Sequence, residues 1–462
     1  MLWTVIRVEW RNLAGERAVW AVVALFAALV AWAAITGGRD AHARQEAAQA
    51  ALTEEQDRLA RLRAEASAPG QATDPHMVGR ELGRRTAILS EGPLASVVGG
   101  REPHVVVVST ESRATTSEAE LGSPIRQVAG AFDLTFVFVT LLPLVVVALT
   151  FDLLAGERER GTLALVLAQP VSLTTFALGK ALQRALLLLG VVMAAALAGP
   201  ALAGGELFAD GGLRTTLYAA LLVAYTAFWF AAALAVNAWG QSSAGNALAL
   251  VALWLGLVVV VPGLVAVVVD AVYPPPSRVE LVNMARAAAA EAEDEASTIE
   301  GDHGAPKGET LGDRYRTTVK RSLAVQEELE RRVEPVVAAF REQLDHQQSL
   351  VNRLRFLSPA IVLHEGLHDV AGTGVERRSG FHGQVEDFHG AWRAFFHERA
   401  LSGAPLAPAD YDALPAFRHV EEPTGDLTRR VGAGVAGLLV PALALLGAAV
   451  LGLRRPEAAG IR

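Results

Sequence analysis

The residues best suited to chemistry form one short run, His364-Glu365-Gly366-Leu367-His368. Two histidines four positions apart lie on one face of a helix, where both imidazoles can bind zinc, and the glutamate beside the first can act as a general base. A third zinc ligand would have to come from elsewhere, and His382, Glu386 and His389 have the spacing of neighbours on a helix. The run therefore allows a zinc hydrolase as one interpretation.

A structural interpretation of the same run needs no metal. Ser358 can cap a helix that begins with Pro359, because proline is tolerated in the first helical turn. Gly366 weakens a helix, and no recognised zinc-peptidase pattern continues beyond the run. The helix has an apolar side made of Ile361, Val362 and Leu367. We predict that the run binds no metal and performs no hydrolysis, and that the chain is not an enzyme.

Charged residues are concentrated in a second run, Gly156-Glu157-Arg158-Glu159-Arg160-Gly161-Thr162, which follows a long apolar stretch. A few apolar residues come next, followed by Gln169-Pro170-Val171-Ser172 and then Gly179-Lys180 at the start of another apolar stretch. A bare turn would suffice to join two apolar helices, so this charged, structured connection favours contact with a protein partner. The carboxylates of Glu157 and Glu159 can cap a helix or face positive groups of that partner.

The elements that position both runs are membrane helices. The chain has 462 residues, of which 52% are hydrophobic and 19% charged, too apolar for an ordinary soluble protein and too charged for one embedded throughout. Its net charge of −8 provides no basic face for nucleic acid. Stretches long enough to cross a bilayer occur at 18–36, 132–151, 185–203, 217–236, 247–269 and 431–453. We predict a mainly α, six-span membrane protein.

Lysine and arginine near the spans indicate orientation, because short cytoplasmic loops carry an excess of both. Six spans place both termini on the same side as the connection 152–180. That side carries Arg7, Arg11, Arg17, Arg158, Arg160, Lys180, Arg184, Arg454 and Arg455. Arg429-Arg430, beside the sixth span, is the opposing evidence. We predict that both termini are cytoplasmic and that 38–128 and 271–430 are extracytoplasmic.

The two extracytoplasmic segments are expected to be mostly helical. Residues rich in alanine, glutamate, arginine and leucine predict helices at 41–66, 278–297 and 313–356. The valines between His104 and Ser109 predict the one convincing strand. Proline inside a helix removes a hydrogen bond, so we expect Pro335 to kink or break the last of these helices.

Two further features concern the membrane surface and the turn between the fourth and fifth spans. Residues 1–17 form an amphipathic helix with Trp3, Ile6, Trp10 and Leu13 on one face, which suits the lipid headgroup zone. Asn237, Gln241 and Asn246 are interpreted as helix caps and turn residues.

The stretch 131–180 as a whole resembles the first cytoplasmic loop of ABC-2 type permeases, the membrane subunits of one class of ABC transporters. The matching residues are Glu157 or Glu159, Gly161-Thr162, Leu165, Leu167, Pro170-Val171-Ser172 and Gly179-Lys180, while Leu173 stands where the family usually has Arg or Lys. The Tyr-Pro-x-Pro-Ser-Arg pattern at 273–278 is similar to a branch with a large segment between spans five and six. That branch is grouped with the permease components of multi-copper-enzyme maturation.

The resemblance implies a coupling helix that sits in a cleft of a separate ATPase subunit. The implied contact residues are Glu157, Glu159, Gly161, Thr162, Pro170, Val171, Ser172 and Lys180. ATP and Mg would be held by that ATPase, since Gly179-Lys180 is followed by Ala181 and no phosphate-binding loop is present. The family further implies a second permease subunit, identical or paralogous, in a bacterial cytoplasmic membrane, with export as the usual direction.

Two other functions stay open on the sequence alone. One is a membrane-anchored zinc hydrolase that uses His364, Glu365 and His368. The other is a sensor or scaffold that uses 271–430 to hold a periplasmic partner.

Overall fold

Six helices of the computed structural model are long and apolar enough to cross a membrane, which confirms the mainly α, six-span prediction for the part of the chain described. The structure describes residues 2–13, 15–67, 85–89, 92, 94–97, 105–108, 132–202, 207–208, 211–240, 242–274, 283–284, 286–287, 290–291, 311–402 and 406–455.

The first span is part of a much longer helix. Helix α1 (Leu2–Leu13) packs Ile6 into the protein and leaves Trp3 and Trp10 exposed. Helix α2 (Arg17–Ala66) then runs for 50 residues, about 75 Å, from apolar into charged sequence without a break. Gly37 lies where α2 passes another backbone, since a Cβ there would be 2.2 Å from a carbonyl oxygen.

The second and third spans are joined by two short helices. Helix α3 comprises Leu134–Phe136, a π-helical turn Val137–Leu141 and Leu142–Thr150. The short helices are α4 (Ala155–Glu159) and α5 (Leu163–Leu167), and the third span is α6 (Leu173–Leu202). Helix α6 begins at Leu173 rather than at 185. The prediction missed its first turns because they carry polar side chains that prove to be buried, namely Lys180, Gln183 and Arg184.

The fourth span, α7 (Leu213–Trp239), lies at the centre of the bundle and packs along the sixth, α12 (Thr424–Leu453). Its Tyr218, Tyr225 and Trp229 are among the largest fully buried side chains. The fifth span, α8, comprises Ser243–Trp254, a π-helical turn Leu255–Val260 and Val261–Val272. Of the six spans, α8 has the smallest fraction of buried residues.

Within residues 311–402, the large segment between α8 and α12 forms three α-helices. These are α9 (Leu311–Leu354), α10 (Pro359–Ala371) and α11 (Val375–Ser402). Of the kink or break expected at Pro335, a break does not occur, because α9 is one helix that contains the proline. Pro335 has no N–H to donate to the Arg331 carbonyl. Because Arg331 is exposed, water can donate to that carbonyl instead. The helix predicted at 278–297 falls largely outside the described residues, although 283–284, 286–287 and 290–291 are helical.

Two strands form an antiparallel pair. Strand β2 (Val105–Val108) is the predicted strand, and β1 (Arg85–Ile88) pairs with it from Arg85 opposite Val108 to Ile88 opposite Val105. The prediction of a single strand was therefore wrong. The sequence Arg-Thr-Ala-Ile is too short and too mixed to show a strand pattern on its own.

Helix α10 packs within the hydrophobic core of the spans. Its buried apolar residues share one cluster with α3, α7 and α12, and they are Ala360, Val362, Leu363, Leu367, Val370 and Ala371. Gly366 allows a close approach there, since a Cβ would lie 2.8 Å from a methyl of Leu221 on α7, which would have to shift. Helix α10 thus fixes the segment 271–430 to the membrane bundle. The sequence did not predict this attachment.

Candidate functional site

The charged loop, residues 152–172, begins with a helix that is closed by a glycine. Gly161 has a φ of 71°, a left-handed conformation that glycine adopts without strain. Its N–H donates to the Arg158 carbonyl at 3.0 Å, and the Thr162 N–H donates to the Glu157 carbonyl at 3.0 Å. This pair of bonds is a Schellman motif, so Gly161-Thr162 ends α4 and turns the chain into α5.

The carboxylate of Glu157 is bound inside the chain. Lys180 Nζ donates to its Oε1 at 2.7 Å, and the Thr162 hydroxyl donates to its Oε2. The Lys180 and Glu157 side chains are only 5% and 15% exposed, while Arg160, 3.2 Å from the carboxylate, lies toward solvent. A buried ammonium needs such a partner, and the pair joins α4 to the first turns of α6.

Glu159 is bound on the other side of the loop. Its two carboxylate oxygens accept the Ser243 N–H at 2.7 Å and the Ser243 hydroxyl at 2.9 Å. Next to it, Arg158 Nη1 donates to the Gly240 carbonyl at 2.7 Å. The charged loop is therefore joined to the turn between α7 and α8 as well as to α6.

Two buried asparagines lie beneath this junction. Asn237 Nδ2 donates to the Thr150 carbonyl at 2.8 Å, and Asn246 Nδ2 donates to the Phe151 carbonyl and to Asn237 Oδ1, each at 3.2 Å. Their interpretation as caps and turn residues was wrong, because both side chains join the end of α3 to α7 and α8. Ser242 is the N-cap of α8. The third of the set, Gln241, lies outside the described residues.

The surface of the charged loop that remains free is apolar at its centre. Leu165 on α5 is 72% exposed, whereas Leu163 beside it is buried. The adjoining exposed residues are Ala164, Ala168, Gln169, Pro170 and Ser172, with Val171 half-buried. An exposed leucine surrounded by small and polar residues suits a protein contact. Ser172 also accepts the Thr175 N–H at 3.2 Å, where α6 begins.

The residues implied by the resemblance thus fall into two groups. Thr162 and Lys180 both bind Glu157, and Glu159 contacts Ser243. The remaining four, which are Gly161, Pro170, Val171 and Ser172, shape the loop or lie on its surface. Sequence reasoning missed Ser243, Gly240 and the role of the asparagines, although polar residues at the ends of apolar spans were a usable signal.

The histidine run lies on α10, whose start is as predicted. Ser358 caps the helix by accepting the N–H groups of Ala360 and Ile361. The rings of His364 and His368 are 4.4 Å apart, and His368 Nδ1 is 2.9 Å from the Thr373 hydroxyl. Among the described residues, no group of three His, Cys, Asp or Glu side chains could hold a metal.

One backbone carbonyl in each of the two π-helical turns accepts a hydrogen bond from a side-chain hydroxyl. Pro143 has no N–H for the Val139 carbonyl four residues earlier, and the Tyr225 hydroxyl donates to it at 2.7 Å. Pro262 lacks the N–H that would reach the Leu257 carbonyl in a π-helix, and the Ser358 hydroxyl donates to it at 2.6 Å. Inside a membrane, backbone carbonyls need hydrogen-bond donors from the protein itself, and these two hydroxyls supply them. The Ser358 hydroxyl also fixes the start of α10 to α8.

Charged side chains cluster where α10 meets α7 and α12. Burial raises the pKa of Asp369 to about 6, although Arg430 lies 3.6 Å away and opposes the shift. Arg214 of α7 donates to the Asp369 and Val370 carbonyls at 3.2 Å. The end of α10 is therefore bound to both neighbouring spans through polar contacts.

Comparison with known proteins identifies the family of the chain. A search of curated proteins found no match. The sequence model of one family, described as ABC-2 family transporter protein, matches residues 3–454 and so covers nearly the whole chain. The chain belongs to the ABC-2 family of transporter proteins, as a multi-pass membrane subunit for transport.

Proposed function

We propose that this chain is driven by a separate ABC ATPase, which contacts the charged loop from the cytoplasm. The observation that carries the proposal is the exposed Leu165, presented on a loop whose charged residues are held by the chain's own spans. A loop fixed to α6 and to α8 can transmit a push, because it moves as one body with the helices it contacts. ATP and Mg belong to the ATPase.

The two carboxylates were interpreted as groups that could cap a helix or face the ATPase. Glu159 accepts the N–H at the start of α8, which is a cap, and Glu157 binds Lys180 and Thr162. They give the loop its shape, and the apolar surface around Leu165 supplies the contact. Closure of an ATPase pair would press on this surface and re-pack the spans.

The proposed setting follows from the orientation of the basic residues. The end of the bundle with α1 and the charged loop faces the cytoplasm of a bacterial cell, and the large segment faces outward. Helix α8 exposes apolar side chains that suit lipid or a second permease subunit, including Leu248, Leu264 and Val267. Export is the proposed direction.

Substitution of Leu165 tests the proposal. The chain is purified from membranes of cells that co-express a candidate ABC ATPase, and vanadate-sensitive ATP turnover is measured. We expect Leu165→Asp to abolish the co-purifying turnover, because burying a carboxylate at a contact centre costs about 2 kcal/mol or more. Leu52→Asp, at another exposed leucine far from the loop, is the matched control and should retain turnover. Equal turnover in both variants would refute the contact.

A further inference from the structure

We propose that Glu159 is a positioning residue that delivers displacement of the charged loop to α8, so that α8 is a driven helix of the transport cycle. The inference rests on the proposed function and names the route by which the loop acts. Glu159 and Ser243 are distant in sequence, yet both carboxylate oxygens of Glu159 bind Ser243. Such a two-point contact resists both sliding and rotation.

The position of Ser243 makes the contact effective. Ser243 is the first residue of α8, and its N–H is one of those that no helix carbonyl can accept. A carboxylate at this end also meets the positive end of the helix dipole. Arg158, one residue earlier in α4, holds the Gly240 carbonyl on the opposite arm of the same turn. Displacement of α4 therefore reaches α8 at its N-terminus.

The rest of α8 packs on the bundle along one side, with Leu250 buried and Leu253, Trp254, Leu257 and Val258 partly buried against the core. Beyond Asn246, its side-chain ties to the bundle include Trp254 Nε1, which donates to the Thr140 carbonyl at 3.0 Å, and the Ser358 contact at Leu257. Both lie at or beside the π-helical turn Leu255–Val260, a geometry in which a helix can change its register. Most of its remaining apolar surface is exposed.

The far end of α8 carries the displacement to the large segment. Gln347 of α9 donates to the Tyr273 carbonyl at 2.5 Å, and the Tyr273 and His346 rings stack at 5.3 Å. Together with the Ser358 contact, this joins α8 to α9 and α10. The route runs from the charged loop through Glu159 and α8 to the segment on the other side of the membrane.

The experiment follows the far end of α8 while the near end is altered. The chain contains no cysteine, so Val272→Cys, at an exposed site in the last turn, provides a single reporter. The complex with its ATPase is placed in vesicles, and labelling by an impermeant thiol reagent is compared with and without ATP and vanadate. We expect the labelling rate to change about fivefold or more on trapping, the low end of coupling between distant sites.

Glu159→Ala should remove this response in the complexes that still retain the bound ATPase. Ser243→Ala keeps the backbone bond and should reduce the response in part, and the double variant should be no worse than Glu159→Ala alone. If Glu159→Ala does not assemble, Glu159→Gln, which keeps one acceptor oxygen, replaces it and should weaken the response. A full trapping response in an assembled Glu159 variant would overturn the inference. Absence of any co-purifying ATP turnover with the unaltered chain would instead refute the proposed function.

Discussion

The buried pair of Glu157 and Lys180 permits a quantitative prediction. Lys180→Met removes the ammonium and leaves Glu157 with the Thr162 hydroxyl and the exposed Arg160. Loss of one partner of a buried ion pair costs about 3–5 kcal/mol when the other is left alone. Because two weaker partners remain here, we expect about 2–3 kcal/mol of destabilisation. The Glu157→Gln, Lys180→Met double variant should recover most of it.

Thermal unfolding in detergent, followed by tryptophan fluorescence, measures the effect. Arg331→Met is the matched control, because the Arg331–Glu328 pair has its arginine 77% exposed. Exposed pairs contribute about 0–1 kcal/mol, so this control should melt close to the unaltered protein. A Lys180→Met protein as stable as the control would refute the reasoning. So would a double variant whose loss equals the sum of the two single losses.

Three further predictions concern α10. Ser358→Ala removes both the helix cap and the donor to Leu257, and we expect a loss of about 1–2 kcal/mol in thermal unfolding, with Ser402→Ala near neutral. Folding raises the pKa of Asp369, so the folded state binds its proton more readily than the unfolded state does. The protein should therefore gain stability from this group as the pH falls from above 6 toward 4. Asp369→Asn should lose that part of the pH dependence of the melting temperature. Glu365→Gln should leave transport-linked ATP turnover unchanged, and elemental analysis should find no stoichiometric zinc.

The spans could be predicted because length and hydropathy alone decide whether a helix suits a bilayer. The start of α6 could not, since Lys180 and Arg184 look solvent-exposed until their partners are known. Lys180 is neutralised by Glu157, and Arg184 by Asp152, while the Leu149 carbonyl accepts a hydrogen bond from Arg184. Charge inside a helix is a signal of exposure only when no partner lies across from it.

The charged loop illustrates how much of a functional site can be recognised from a sequence pattern. The pattern identified Glu157, Gly161-Thr162 and Lys180 together, and these residues meet in the fold. It did not reveal that Glu159 binds Ser243, because that contact joins residues far apart in the chain. The insertion of α10 was hidden for a similar reason, since an apolar side at Ile361, Val362 and Leu367 does not show which distant helices cover it.

The most direct test of the central claim is a crosslink from the charged loop. Single cysteines at Leu165 and Ser172, each carrying a short crosslinker, are examined in membranes that contain the ATPase, with Leu52→Cys as the control. We expect an adduct between the loop cysteines and the nucleotide-binding protein, and none from the control. Adducts from the loop that contain only lipid or this chain itself would contradict it.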